Sequence, residues 1–296
     1  MKTPYFFGTL TALITPFIRN KPDFAAFERL IQIQLQNNVD GIVLFGTTGE
    51  GVSLSLAEKK ALFLVAKRTL NNKIPIICGI SSVSTEDAIA LARFYRELKA
   101  NGLLVCTPYY YKTTTQGIYK HFELIAKACG LPIVIYNVPA RTNCDITKSR
   151  ALLKKLEQNS QFVAIKQAGT NLESCKKLVN MSSIPLLCGN DKFMFELLKN
   201  GYVGSISVCS NVIPKQTKGV YEMIKEGNIT KAELLFKEIL PLILALELEP
   251  NPIPIKYASK LTCGCKPNPR LPLTTATKKT KQTINDLWRN YEITVN

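Results

Sequence analysis

The hydrophobic positions of this chain cluster in short continuous runs, each bounded by Gly, Pro, Thr or Asn. The runs lie at 8–15, 41–46, 74–80, 102–107, 131–137, 162–166, 184–189 and 204–210. Continuous apolar character without polar alternation is typical of strands that are buried on both faces of a parallel sheet. The pattern therefore predicts eight buried parallel strands.

Segments with helical spacing separate the runs. They include residues 24–36, 55–70, 85–99 and 118–128. Ser55 with Glu58, and Thr85 with the following acids, provide helix-start signals. Repeated βα units of about 20 to 35 residues suit either a closed barrel or a doubly wound open sheet. Because no GxGxxG or P-loop motif follows the first run, we predict an α/β fold of the TIM (β/α)8 barrel type.

The strand pattern stops near residue 215, and helical patterns take over. They comprise AELLFKEILPLILALEL, a Pro-rich bend EPNPIPIKYA and KTKQTINDLWRNY. We predict a barrel with the active site over residues 1–222 and an appended C-terminal helical segment over 223–296. The apolar runs are shorter than the roughly 18 to 20 residues that span a bilayer, so a soluble protein without membrane partners is expected.

Composition changes this picture little. The nine cysteines are scattered and odd in number, which predicts reduced thiols and a cytoplasmic location. The single histidine, His121, lies in a helical pattern and is expected at a surface or half-buried position. With so few ligand types at strand ends, we predict no metal and no cofactor. The net charge of +16 raises the alternative of a nucleic-acid partner, but the lysines are spread along predicted helices, so none is predicted.

Lys166 ends the sixth apolar run, FVAIK, and is the sharpest chemical feature of the chain. In a barrel, catalytic groups lie where strands end. A lysine there could instead extend to solvent, and its position alone leaves both interpretations open. Polar motifs at neighbouring strand ends favour chemistry. Burial disfavours the charged form of an amine, and only an uncharged amine attacks a carbonyl to form a Schiff base.

Two further strand ends carry groups that could bind carboxylates. GTTGE follows the second run and is either a simple βα turn or a carboxylate site built from Thr47, Thr48 and helix-start amides. YNVPART follows the fifth run, where Tyr136 could relay protons and Arg141 could hold a second carboxylate. TPYYY, which contains Tyr110, fits an aromatic surface turn and a functional loop equally well.

Taken together, these motifs resemble the dihydrodipicolinate synthases, within the N-acetylneuraminate lyase family of class I aldolases. GTLTALITPF, GTTGE, TPYY, YNVPxRT, the strand-six lysine, EPNPIPIK and RLPL stand in the family's order over essentially the whole chain. The resemblance implies a lyase of the lysine and diaminopimelate pathway. It would condense pyruvate with L-aspartate 4-semialdehyde to 4-hydroxy-tetrahydrodipicolinate, as a homotetramer that is a dimer of dimers.

The resemblance also implies residue roles. Lys166 would form the pyruvate Schiff base, Tyr136 would pass protons, and Thr48 would link Tyr136 to Tyr110 of a neighbouring subunit. Thr47 would bind the pyruvate carboxylate and Arg141 that of the semialdehyde, while the backbones of Gly189 and Ile206 would line the pocket.

Several residues depart from the family pattern. Gln167 and Asn190 stand where acids are usual, which would alter the local electrostatics and the pH optimum. At the feedback site for lysine, we expect Leu56 and Val83 to remove hydrogen-bonding groups and Lys59 to repel a cationic ligand. The matching positions are Gly51, Val52, Leu56, Lys59, Val83, Asp87 and Tyr109. Weak or absent inhibition by lysine is therefore predicted.

Two other functions stay open from the sequence. One is a pyruvate-dependent aldolase of the same family that acts on sugar acids. The other is a non-catalytic barrel that binds acidic partners through its basic surface. The arginine of YNVPxRT favours a second substrate with a carboxylate, and hence the synthase.

Overall fold

All eight apolar runs form strands in the structure, which is a computed structural model describing residues 5–292. A short hairpin, β2 with β3, adds two strands. The strands are β1 Gly8–Ala12, β2 Phe17–Ile18, β3 Lys21–Pro22, β4 Gly41–Leu44, β5 Ile76–Ile80, β6 Gly102–Cys106, β7 Ile133–Asn137, β8 Phe162–Gln167, β9 Leu186–Cys188 and β10 Gly204–Ser207.

Helices follow the barrel strands and continue to the end of the described chain. The helices are α1 Phe24–Gln36, α2 Leu56–Leu70, α3 Thr85–Glu97, α4 Thr115–Cys129, α5 Pro139–Thr142, α6 Arg150–Glu157, α7 Leu172–Lys177, α8 Met194–Lys199, α9 Pro214–Lys225, α10 Ile229–Ala245, α11 Ile253–Cys263 and α12 Lys278–Glu292. The predicted helices over 24–36 and 55–70 agree with α1 and α2 within one residue.

The strands other than the hairpin close into a parallel barrel in the order β1-β10-β9-β8-β7-β6-β5-β4, which confirms the predicted TIM barrel. Alternate residues on each strand point to opposite faces. On β4, Val43 packs into the barrel interior with Leu187 and Ile206, while Ile42 and Leu44 pack outward against the helices. Both faces are therefore apolar, which explains why the runs are continuous.

Two helix starts illustrate how well local signals predict structure. Ser55 and Glu58 form the predicted capping box at α2. At α3 the cap is Ser84, whose side chain accepts a hydrogen bond from the Asp87 amide, rather than Thr85. Thr85 is the first helical residue, and its hydroxyl lies 2.9 Å from Nδ1 of His121. His121 is itself only 3% exposed, so the expectation of a surface or half-buried position is wrong.

The C-terminal helices lie against the barrel and each other. Helix α10 packs on α9 and α12, and α11 packs on α1. No strand follows β10 in the described residues. A boundary at residue 222 falls within α9, while residues 1–4 and 293–296 of the predicted division lie outside the described part.

The sequence also led to expectations about the cysteines, membrane spans and metal sites. The nine cysteines are unpaired, and all except the half-buried Cys144 are buried. Among residues 5–292, no helix is both long and apolar enough to cross a membrane. Across the same residues, no group of three His, Cys, Asp or Glu side chains could hold a metal ion.

Candidate active site

A cavity of about 210 Å³ opens at the carboxyl ends of the barrel strands. Five of the residues predicted from sequence line it together: Thr48, Tyr136, Arg141, Lys166 and Gly189. A larger surface cleft, of about 560 Å³, lies at the opposite end of the barrel beside Asp40 and Lys73. Because barrel enzymes place their chemistry at the carboxyl ends of strands, the smaller cavity is the candidate site.

Lys166 lies on β8, next to Tyr136 on β7 in the strand register. Its Nζ is 4.3 Å from the centre of the Tyr136 ring, and the residue is 5% exposed. No ion pair involves Lys166 within the described chain, although an amine this buried usually has an acidic partner. The arrangement presents a buried amine on the wall of the cavity, beside the face of the Tyr136 ring.

Gly189 makes room for that amine. A Cβ atom at position 189 would lie 2.9 Å from Cε of Lys166 and 3.0 Å from Cβ of Ala168. Any side chain there would displace the lysine. The backbone amide of Gly189 donates a hydrogen bond of 2.8 Å to the carbonyl of Gln167, which holds β9 against β8 at this point.

Gln167, one of the departures from the family pattern, follows Lys166 on β8 and points to the opposite face of the strand. It is buried, and its Oε1 accepts a hydrogen bond of 2.6 Å from Nδ2 of Asn137. The same amide nitrogen donates to Asp145 Oδ1 at 2.9 Å. The side-chain amide of Gln167 thus has a hydrogen-bond partner in the layer between strands and helices, on the other side of the strand from the cavity.

The turn after β4 contains both predicted threonines. Thr48 is 3% exposed, and its hydroxyl accepts a hydrogen bond of 3.0 Å from Nδ2 of Asn251. Thr47 is half-buried beside it and does not line the cavity. The turn is anchored to the N-terminal strand region, because the Thr15 hydroxyl donates to the carbonyl of Gly49 at 2.7 Å.

Arg141 lies on α5, directly after β7, with an exposed side chain at the cavity rim. Its Nη2 donates to the backbone carbonyl of Asn251 at 3.2 Å. The guanidinium is therefore oriented but accessible, as a group that binds a free carboxylate bidentately would be.

Besides Thr47, two predicted residues lie away from the cavity wall. Ile206 is fully buried in the barrel interior. Tyr110 is 88% exposed, with a backbone φ of 71°, and its ring contacts only the neighbouring Tyr111 ring among the ring contacts of the described residues. Its side chain therefore lies at the surface of the chain.

Sequence reasoning missed several cavity residues. Asn251 bridges Thr48 and Arg141, and Asp191 accepts backbone hydrogen bonds of 2.8 Å from both Val208 and Cys209. Asn251 lies in the quoted motif EPNPIPIK, but nothing in that motif indicates which distant residues it contacts.

Cys209 offers a second nucleophile in the same cavity. Burial raises the pKa of its thiol well above the ordinary value, and the nearby Asp191 carboxylate adds to that shift. The thiol stays protonated near neutral pH and is a poor nucleophile. Of the two, Lys166 is the better candidate for covalent chemistry.

A closed (β/α)8 barrel with a buried lysine near the end of its sixth strand, beside a tyrosine and a threonine turn, defines an enzyme of the class I aldolase type. The model of the dihydrodipicolinate synthetase family matches residues 5–290. The chain therefore belongs to this family, and the resemblance predicted from its motifs is confirmed.

Individual relatives agree over nearly the whole length. The 4-hydroxy-tetrahydrodipicolinate synthase of Rickettsia bellii (strain OSU 85-389) is 41% identical over 293 residues, covering 98% of this chain and 99% of its own. The crystal structure of dihydrodipicolinate synthase from Thermotoga maritima has a TM-score of 0.93 at 34% identity, covering 96% and 98% of the two chains. The crystal structure of dihydrodipicolinate synthase from Cyanidioschyzon merolae with lysine bound has a TM-score of 0.90 at 33% identity, covering 97% of this chain and 98% of its own.

Proposed function

We propose that this protein condenses pyruvate with L-aspartate 4-semialdehyde to form 4-hydroxy-tetrahydrodipicolinate in the biosynthesis of lysine and diaminopimelate. The observation that carries the proposal is the buried Lys166 amine, which lines a cavity together with Tyr136, Thr48 and Arg141. Membership of the dihydrodipicolinate synthetase family supports the choice of reaction.

In the proposed mechanism, the Lys166 nitrogen attacks the ketone carbon of pyruvate, and loss of water leaves an imine. Removal of a proton from the pyruvate methyl group gives an enamine, whose carbon attacks the aldehyde of the second substrate. The amino group of that substrate then displaces Lys166 from the imine carbon, which closes the ring and frees the enzyme.

The remaining residues bind and move protons. Tyr136, whose ring lies 4.3 Å from Nζ of Lys166, passes protons during imine formation and release. Thr47, beside the cavity, and Thr48, in its wall, hold the pyruvate carboxylate, and Thr48 also links Tyr136 to Tyr110 of a neighbouring copy. Arg141 at the rim holds the carboxylate of the semialdehyde. The backbones of Gly189 and Ile206 shape the pocket. The cavity of about 210 Å³ suits two small acids.

The test is to trap the pyruvate adduct with borohydride and map it by peptide mass spectrometry. Two other buried lysines, Lys59 and Lys256, serve as internal controls. Label on Lys166 alone, abolished in Lys166→Ala, is expected. A steady-state assay with aspartate semialdehyde and with sugar acids then separates the synthase from related aldolases. Absence of the Lys166 adduct would refute the proposal.

We also propose that Tyr110 acts in the active site of a neighbouring copy, within a homotetramer. The support is its 88% exposure after the carboxyl end of β6, together with the exposed Val52, Leu56 and Tyr111, which also follow strands at this end of the barrel. An apolar surface of this kind is typical of an interface. A cytoplasmic location stays a prediction.

Mixing two inactive variants tests the shared site. Tyr110→Phe keeps its own lysine, and Lys166→Ala keeps its own tyrosine. If the tyrosine acts between subunits, hybrids of the two regain activity, because one site then has both groups. Mixtures that stay as inactive as the separate variants, despite subunit exchange seen by native mass spectrometry, would contradict the arrangement.

A further inference from the structure

A fully buried ion pair lies behind the threonine turn. The Lys256 Nζ on α11 binds the Glu50 carboxylate at the end of GTTGE, and their side chains are 0% and 1% exposed. Burying two charges costs several kcal/mol per ion in desolvation, and a buried pair is weak evidence for stabilisation. A pair at this position therefore calls for a role other than stability alone.

The pair is well supported on both sides. Nζ of Lys256 also donates to the carbonyl of Thr15 at 2.9 Å and lies 4.2 Å from the centre of the Phe17 ring. The second carboxylate oxygen of Glu50 accepts a hydrogen bond of 2.8 Å from the backbone amide of Arg270. Each charge thus has several partners that fix it in one position.

Glu50 itself has a left-handed backbone, with φ of 52°. This conformation is uncommon for a residue with a side chain and persists when the surroundings hold it. The amide of Glu50 donates to the carbonyl of Thr47 at 3.1 Å, so its position sets the turn that carries Thr47 and Thr48.

The C-terminal segment therefore holds the turn at two points. Asn251 binds the Thr48 hydroxyl from the cavity side, and Lys256 binds Glu50 from behind. Asn251 and Lys256 are close in sequence but more than 200 residues from their partners, with separations of 203 and 206.

We propose that Glu50 and Lys256 are positioning residues that hold the Thr47–Thr48 turn in the geometry that binds the pyruvate carboxylate. The inference rests on the proposed function, because it assumes that the turn binds this carboxylate. Neither residue lines the cavity. Their removal acts through the turn, so it weakens pyruvate binding in ground state and transition state alike and raises KM more than it lowers kcat.

The test compares three variants with the wild type. Lys256→Met leaves a buried carboxylate without its cation, so we expect a melting temperature about 10 °C lower. The double variant Glu50→Gln/Lys256→Met removes both charges and regains stability. We expect its KM for pyruvate to rise about tenfold, as for a lost charged hydrogen bond, with kcat changed less than about threefold.

Glu50→Asp keeps the charge but shortens the side chain, so the turn must shift for the pair to form. If the double variant does not fold, Glu50→Asp is used instead to measure the rise in KM for pyruvate relative to kcat. The matched control is Lys218→Met, which breaks a partly buried pair with Asp40 at the opposite end of the barrel. Pyruvate KM in this control should equal the wild-type value.

Borohydride trapping at graded pyruvate concentrations separates the two proposals. If the wild type forms no adduct at Lys166, the proposed function fails. If the wild type is trapped but the folded Glu50 and Lys256 variants need no more pyruvate than it does, the positioning role is refuted. A higher pyruvate requirement in these variants, absent from Lys218→Met, supports it.

Discussion

Gly189→Ala tests most directly whether the position of Lys166 governs activity. The added methyl would lie 2.9 Å from Cε of Lys166, whereas carbon atoms in contact prefer about 3.5 to 4.0 Å. The other close atoms are Cβ of Ala168 and the backbone oxygen of Gln167, both at 3.0 Å. Both atoms are fixed to the backbone at the end of β8 and move little. The lysine side chain must therefore move by roughly 1 Å.

The expected cost divides between stability and activity. Adding a methylene-sized group to a packed site destabilises by about 1 to 3 kcal/mol. Misplacing a reacting group by about 1 Å costs about a hundredfold in rate, or roughly 2.7 kcal/mol of transition-state stabilisation. We therefore expect a folded enzyme whose kcat/KM is lower by about two orders of magnitude.

Steady-state kinetics, the rate of borohydride trapping and thermal melting measure these effects separately. The matched control is Gly219→Ala on α9, where the new Cβ would meet only the end of the Leu235 side chain, at 3.0 Å. That side chain can rotate away, and alanine favours the helix by about 1 kcal/mol. The control should keep full activity.

One result would refute the reasoning. If Gly189→Ala forms the Lys166 adduct at the wild-type rate, the lysine does not depend on the space that the glycine leaves. A variant that fails to fold while Gly219→Ala folds would also contradict the estimate, because the predicted loss of stability is small.

Three further outcomes follow from the titrating groups and the surface. Burial lowers the pKa of His121 to about 4 from 6.5, so the unfolded chain binds more protons between these values. Stability should therefore fall by about 2 kcal/mol from pH 6.5 to 4.5 in urea titrations, and His121→Gln should flatten this slope. The Arg270 hydrogen bond lowers the pKa of Glu58 to about 2 from 4.5. It contributes stability above pH 4.5 that is lost towards pH 2, about 1 to 2 kcal/mol after solvent screening, and Glu58→Gln should remove this loss. Lysine should inhibit weakly or not at all, because the buried Lys59 stands at a position that the family resemblance matches to a lysine site and would repel a cationic ligand; half-inhibition at sub-millimolar lysine, with alanine as the control ligand, would contradict this.

The barrel could be predicted because its physical cause is visible locally. A strand buried on both faces needs apolar residues at every position, so β7 is evident as the run around Ile133–Asn137. The hairpin β2–β3 was missed because each strand has two residues and no alternation to detect. The cap at Ser84 was missed because the neighbouring Thr85 is also a favourable capping residue by type.

For the candidate site, sequence reasoning found the groups that stand at strand ends. Lys166 and Tyr136 are adjacent in register on neighbouring strands, as a parallel barrel requires. Asn251 could not be found in this way. Its partners Thr48 and Arg141 are 203 and 110 residues distant, and no local pattern encodes contacts over such separations.

These long-range contacts show that the C-terminal segment contributes to the candidate site. By sequence pattern they form an appendage to the barrel, and we retain a division near residue 222 as a proposal for how the chain is organised. Yet Ile243, Leu246 and Glu247 line the cavity, and Asn251 orients both candidate carboxylate-binding groups. In the proposed mechanism the strands supply the covalent and proton-transfer groups, while the segment after α10 orients the groups proposed to bind carboxylates. A barrel without this segment would keep its lysine but lose Leu246, Glu247 and Asn251 from the cavity wall.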